Sequence, residues 1–231
     1  VSPAHTSISP PQFSDRFLRS QEVPKHTKMM HPDTELKMVT PEIGVGVFAT
    51  QFILKGTIVY VEDPLEIEIP KDSPVLRNPV LRPLIEKFAT IRANGDYEIS
   101  WDYAKYINHC CHYNAITTGF GFDIATQDIR PGEQIRDDYG LFNVEYGMEL
   151  MCDFDDCRKR IRTADFDSLA DGWDLSAIDA LQHAGSIPQK LWEAMDPDLR
   201  VRLSTYLETG QGYVSVRTLK RRSDPDPAGS S

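Results

Sequence analysis

The sequence predicts a mainly β chain with α segments: many short β segments, a helical insertion near the middle and helices toward the C-terminal end. Three observations predict it. Short β-branched and aromatic runs punctuated by glycine recur between Leu36 and Ile129. An apolar stripe at helical spacing interrupts them between residues 80 and 91. After Cys157 the helical period takes over.

Residues 1–35 are rich in Pro, Ser and His without a sustained period and read as a flexible N-terminal arm. His5, His26 and His31 lie in it, too scattered for a metal site. Order begins near Leu36. GVGVFAT, Gly44 to Thr50, sets two glycines around Val45 ahead of strand-forming residues. Such a pair reads as a turn, or as a place where backbone closely approaches a ligand. FILKGTIVYVED puts Gly56 between two strand-like runs, a hairpin-like pattern.

Val80, Leu81, Leu84, Ile85, Phe88 and Ile91 then recur at helical spacing, with Pro83 early enough for a first turn to tolerate. Asn94-Gly95-Asp96 is a turn, and Tyr97 to Trp101 alternates like a strand. Ala115 to Ile129 has a hairpin pattern around Gly119 and Gly121. Further on, Ser176 with Asp179 has the form of a capping box, Ile178 and Leu181 share a face, and Gly185 stops the helix. Leu191, Trp192 and Met195 form a turn. Asp196-Pro197 then opens a helix carrying Leu199, Leu203 and Tyr206 or Leu207. These helices are expected to pack on the β part. Residues 217–231 read as a disordered tail.

Two stretches are too polar to be folding segments alone. Tyr103 to Asn114, YAKYINHCCHYN, gathers Asn108, His109, Cys110, Cys111, His112 and Asn114. Pro131 to Phe142, PGEQIRDDYGLF, offers a glycine turn, an acidic run and Tyr139. Groups with this much hydrogen-bonding capacity, set between strand-like runs, need water or a bound partner.

Asp and Glu number 35 against 25 Lys and Arg, a net charge of −10. That disfavours direct nucleic-acid binding and suits a basic partner such as a lysine-rich tail; it serves solubility equally well. With 231 residues, 40% of them hydrophobic, one catalytic domain plus an appendage fits. The four cysteines, Cys110–Cys111 and Cys152–Cys157, favour a reducing compartment over a disulfide framework. No run approaches the ~18 apolar residues of a membrane span, and no signal-peptide pattern is present. Val1 reads as a truncated, processed or non-standard start. The expectation is an intracellular protein, cytoplasmic or nuclear, with secretion as an effector as the alternative.

In this order, the segments resemble the SET domain of protein-lysine methyltransferases, over roughly residues 38–160. GVGVFAT is similar to the family's G-x-G-hydrophobic-F/Y-A, NHCCHYN to its NHSCxPN, and GEQIRDDYG to its GEELxxDYG. The resemblance implies a β-clip fold of several small sheets in which the last two segments pack as a knot-like core, an exception to the rule against threading. It places the SET domain at 36–147, a post-SET-like segment at 148–162 and a helical appendage at 163–216. It implies methyl transfer from S-adenosylmethionine to the ε-amine of lysine in a histone or other basic protein, bound as an added strand beside the helical insertion. That amine must be neutral, which costs about 4 kcal/mol at pH ~7.4 for a reference pKa near 10.4. The transfer itself requires no metal. By the same resemblance Tyr139 is the active-site tyrosine. Gly44, Val45, Gly46, Phe48, Lys105, Tyr106, Asn108, His109, Tyr139 and Phe142 contact the cofactor. Tyr97, Trp101 and Tyr103 are candidates for the lysine channel.

The sequence also departs from that pattern. Cys110 stands where the family has Ser, Tyr113 where it has Pro, and Asp137 where many members carry Phe or Tyr. That last position influences how many methyls are added, so the product state stays open. Many members bind zinc through the motif's Cys and a later CxCx4C. Here Leu150 replaces the first Cys of the trio, leaving Cys111, Cys152 and Cys157 for an ion that takes four ligands. Cys110 or His112 completes the set, or the site is empty; the shortfall favours an empty site. Two other readings remain. One is a degenerate SET domain that only binds a partner. The other is a thiol-based or metal-binding protein built on the four cysteines. It ranks last, because adjacent cysteines poorly share one zinc and no CxxC is present.

Overall fold

The computed structural model describes residues 29–144, 148–152 and 154–222. Most of the expected arm, with His5 and His26, and residues 223–231 of the expected tail lie outside the described residues. Among the described residues, four small sheets carry the β part. β1 (Thr34–Thr40) and β2 (Gly44–Ala49) form an antiparallel pair. β3 (Ile58–Val61) pairs with β9 (Phe122–Ala125), which pairs with β8 (Ala115–Thr117) as the hairpin pattern predicts. β4 (Ile67–Ile69), β6 (Tyr97–Ile99) and β5 (Thr90–Ile91) make a third sheet, with β6 central. β7 (Asn108–His109) and β10 (Arg136–Asp137) make a parallel pair.

FILKGTIVYVED is not a hairpin. Ile53 bridges to Ile129, and β3 joins the distant β9. Ile58, Val59 and Val61 are fully buried, so this strand needs apolar cover on both faces, which the short run before it does not supply. Gly56, at φ +88°, lets the turn lie against α2 (Asp165–Ala184); a Cβ there would come within 2.7 Å of His183 Cβ. The mid-chain helix α1 (Leu81–Phe88) stops short of Ile91, which belongs to β5.

Helix α2 does not begin at the Ser176 capping box. It starts at Asp165 and buries Phe166, Ala170, Trp173, Ala177, Ala180, Leu181 and Ala184. Small alanines hold much of this stripe, which weakens its sequence signal. Ser176 Oγ instead meets the Tyr113 hydroxyl at 2.9 Å. Gly185 ends the helix as predicted. α3 (Pro197–Thr209) is capped by Asp196, whose Oδ1 accepts from the Asp198 and Leu199 amides at 2.9 and 3.1 Å. No described helix is long and apolar enough to cross a membrane.

The helices share one core with the β3–β9–β8 sheet: Ile58, Ile116, Phe122 and Ile124 pack with Trp173, Leu181 and Leu203. A second cluster lies under β2 and holds Met30, Val47, Ile107 and Ile135. Met30 and His31, within the stretch read as an arm, are therefore buried. Residues 217–222 are likewise held rather than trailing. Asn143 Nδ2 donates to Ile91 O and Leu219 O at 2.7 and 2.8 Å, and the Arg222 amide donates to Ala93 O at 2.9 Å.

Candidate active site

The two polar stretches lie side by side. The Cys110 amide donates to Asp137 O at 2.9 Å. Asn114 fastens the pair: its Nδ2 donates to Gln134 O at 2.8 Å and its Oδ1 accepts from the Arg136 amide at 2.9 Å. The other end of the first stretch reaches β2, where Asn108 Nδ2 donates to Val45 O at 3.1 Å. Gly46 has no room for a side chain, since a Cβ would meet Gln134 Nε2 at 2.3 Å and Asn108 Nδ2 at 2.8 Å. Gly44, at φ +86°, faces open space, and Gln134 Nε2 is a buried donor without a partner. This glycine-bordered wall with a spare donor fits an extended polar ligand. Phe48 continues β2, its ring 5.9 Å from Lys37 Nζ.

Tyr139 joins these parts. Its amide donates to His109 Nδ1 at 3.1 Å, its hydroxyl donates to Ile107 O at 2.6 Å, and its ring centroid lies 5.1 Å from that of Phe142. Burial, and then the Asp137 charge, raise the phenol pKa far above its ordinary value, so Tyr139 keeps its proton and acts as a donor. Burial lowers His109 to about 4, helped by Arg158 and Arg136 and opposed by Asp138. The ring is neutral. Because Nδ1 accepts, the proton is assigned to Nε2, 3.3 Å from Cys111 Sγ.

A cavity of about 330 Å³ opens beside Tyr139, with Ile107, Leu141 and Phe142 in its wall. Lys105 also lines it, but its ammonium is held by the carbonyls of Asp102, Trp101 and Ser100 at 2.5, 3.2 and 3.3 Å. The Tyr106 ring packs edge-on against Phe88 at 5.6 Å. Of the three channel candidates, Tyr97 lines the cavity. Trp101 donates Nε1 to Asp63 Oδ2 at 2.7 Å, and the Tyr103 hydroxyl meets Thr34 Oγ1 at 2.7 Å beside the second core cluster. The cavity also carries Glu62, Glu98 and Arg92, with Arg92 bridging both glutamates. Thr117 and Asp123 complete this wall. The sequence reading did not single out Asp123, although it is the one charge in FDIA, a strand buried throughout. Asp138 was missed as well: buried, it accepts from Gly140 N, Trp173 Nε1 and Arg158.

The sulfurs of Cys111, Cys152 and Cys157 lie within 4.8 Å of one another. Cys111 and Cys157 are 3.6 Å apart, and Cys110 and Cys152 are 3.8 Å apart. Thiolates bound tetrahedrally at about 2.3 Å sit roughly 3.8 Å from each other, so the cluster is compatible with zinc. His112 is engaged elsewhere: Nε2 meets Asp156 Oδ1 at 2.7 Å and the ring stacks on Phe154. Cys110 meets Cys152 but lies outside the three-sulfur cluster, so neither residue considered for a fourth ligand completes it.

Residues 44–140 match the family model described as SET domain. No curated protein matches the sequence. Among solved structures, a Plasmodium falciparum protein described as a histone methyltransferase is 17% identical, covering 46% of this chain and 92% of its own, at a TM-score of 0.35. KRYPTONITE, solved with mCHG DNA and SAH, is 17% identical over 56% of this chain and 29% of its own, at a TM-score of 0.40.

Proposed function

We propose, from the match of residues 44–140 to the SET domain model, that this protein is an S-adenosylmethionine-dependent protein-lysine N-methyltransferase acting on a basic protein. One observation carries the reading. Tyr139 stands between the Asn108–His109 wall and the acid-lined cavity, bonded to His109 on one side and to Ile107 O on the other. Gly44, Val45, Gly46, Phe48, Asn108 and His109 would hold the cofactor, with Lys105, Tyr106 and Phe142 flanking. When bound, it supplies an electrophilic methyl group on a sulfonium.

The chain's own residues bind and orient the acceptor. Tyr139 keeps its proton, and its hydroxyl with the Ile107 carbonyl fixes hydrogen-bond polarity where the amine would arrive. Ile107, Leu141 and Phe142 exclude water there, which lowers the pKa of an entering ammonium. Glu62, Glu86, Glu98 and Asp123 line the same cavity against Lys87, Arg92 and Lys105, an excess of one acid that favours a basic segment. That segment would lie extended beside α1 and β5. A zinc ion, where present, would be held by Cys111, Cys152 and Cys157, tying residues 148–162 to the first polar stretch.

The test is transfer of labelled methyl from S-adenosylmethionine to core histones and a total cell lysate, with Tyr139→Phe alongside. Label on lysine that is lost in the variant is the expected result. A protein that neither labels any acceptor nor binds the cofactor would overturn the reading in favour of a binding module.

A further inference from the structure

Asp123 occupies the second position of β9, whose four residues are all buried. It is 6% exposed and lines the cavity that Tyr139 lines. Thr117 is its cross-strand partner, and lines the same cavity. Thr117 donates both its amide and its hydroxyl to Asp137 Oδ2, at 3.1 and 2.8 Å. Asp137 is fully buried and takes the Asp138 amide on its other oxygen at 2.6 Å. Of this carboxylate pair, Asp123 is therefore the member at the cavity surface. An apolar residue would suit the strand better, because a buried carboxylate is costly unless it meets a cation. The cations already in this wall are engaged: Glu62 and Glu98 hold Arg92, three carbonyls hold Lys105, and Lys87 Nζ sits 5.3 Å over the Phe88 ring. The Tyr139 hydroxyl, another polar group of this cavity, donates its proton to Ile107 O.

We infer that Asp123 is the proton acceptor for the ε-ammonium of the substrate lysine. The inference rests on the lysine-methyltransferase reading above. An N–H bond of the ammonium breaks and an O–H bond forms on Asp123. The freed nitrogen lone pair then forms the N–C bond to the sulfonium methyl, while the C–S bonding pair leaves on sulfur. A proton acceptor works best when its pKa approaches that of its donor. Burial raises Asp123 to about 7, with the Thr117 hydrogen bond opposing and Glu62 assisting. The groups facing it are Tyr60 and Glu62 from the β3 side, Thr117 of β8, Asp137 of β10, and Glu98 of β6 with Arg92. Burial, and then Glu66, keep the Tyr60 phenol protonated.

The experiment is the pH dependence of kcat and kcat/KM for methyl transfer to core histones and poly-L-lysine. It compares the wild-type protein, Asp123→Asn and Asp123→Glu, with cofactor affinity measured on each. The wild type should lose rate as pH falls through about 7 and level off above it. Asp123→Asn should lower kcat at pH 7 by roughly 100-fold or more. Its rate should climb tenfold per pH unit toward the lysine pKa, with cofactor affinity unchanged. Asp123→Glu should restore the plateau. An Asp123→Asn profile parallel to the wild type, or a change confined to KM, overturns the inference. If the variant does not fold, a wild-type profile without the inflection near 7 overturns it. A wild-type protein that methylates neither acceptor and binds no S-adenosylmethionine removes the underlying reading as well.

Discussion

Asp138 and Trp173 are bonded in the interior, the indole Nε1–H donating to Asp138 Oδ2 at 3.0 Å. They are 4% and 2% exposed. The contact joins the residue before Tyr139 to the middle of α2. The other oxygen of Asp138 accepts the Gly140 amide at 2.9 Å and the Arg158 guanidinium. One carboxylate thus holds the Tyr139 turn, α2 and the segment that carries Arg158 together.

Removing it should be costly. Asp138→Ala leaves a largely buried guanidinium and a buried indole N–H without their acceptor, and breaking a buried pair from one side costs about 3–5 kcal/mol. Trp173→Phe keeps the ring packing in part and loses one buried hydrogen bond, about 1–3 kcal/mol. Urea unfolding monitored by circular dichroism measures both. An Asp138→Ala protein as stable as the wild type would show that this junction does not hold the fold.

The β2 wall should be equally intolerant of added bulk. Gly46→Ala places a Cβ 2.3 Å from Gln134 Nε2 and 2.8 Å from Asn108 Nδ2, so the Asn108 amide must leave Val45 O. Asn108→Ala removes that bond outright. Both should weaken S-adenosylmethionine binding, Asn108→Ala by about 1–3 kcal/mol, and Gly46→Ala by at least as much. Titration calorimetry decides; unaltered affinity in Gly46→Ala would move the cofactor away from this wall.

For the cysteine cluster the prediction is metal content. Burial pushes the Cys157 thiol up to about 11, so it is protonated without an ion and must release its proton to bind one. Purified protein should carry one zinc by elemental analysis, and a chelator should lower the melting temperature. Cys152→Ser and Cys157→Ser should each reduce zinc content. Metal-free protein with an unchanged melting temperature after added zinc would return the site to four free thiols.

What was legible in the sequence followed local chemistry. The Asp196-Pro197 cap, the Gly185 stop and the β8–β9 hairpin are written in neighbouring residues, and all are present. The packing of the two polar stretches came from the resemblance, since no periodicity links residues 30 apart, and the Asn108–Val45 bond was legible in neither. Illegible features were long-range. Gly56 reads as a hairpin turn until α2 is placed against it. Tyr103 and Trp101 look like channel aromatics until Thr34 and Asp63 claim their polar atoms. The start of α2 was hidden because alanine carries little hydrophobic signal yet packs closest.

Asp123 also makes a stability prediction with a definite sign. Its folded pKa, about 7, lies above the ordinary value of 3.8 for an aspartate. The folded state therefore holds this proton more tightly than the unfolded chain does. Stability from this group is fully present below about pH 4 and is lost as pH rises through 7. At about 1.36 kcal/mol per pKa unit, the loss is roughly 3–5 kcal/mol for a group this buried. Asparagine cannot ionise, so Asp123→Asn should melt higher than the wild type at pH 8.5, by a smaller margin at pH 5, and nearly level with it below about pH 4. Asp137, raised by burial and by Asp123 itself, should be relieved in the same variant and widen the gap at high pH. A variant less stable than the wild type at pH 8.5 would mean that the carboxylate is satisfied inside the fold. A variant more stable but slower would identify Asp123 as a residue kept at a cost to stability, as expected of a group placed to receive a proton.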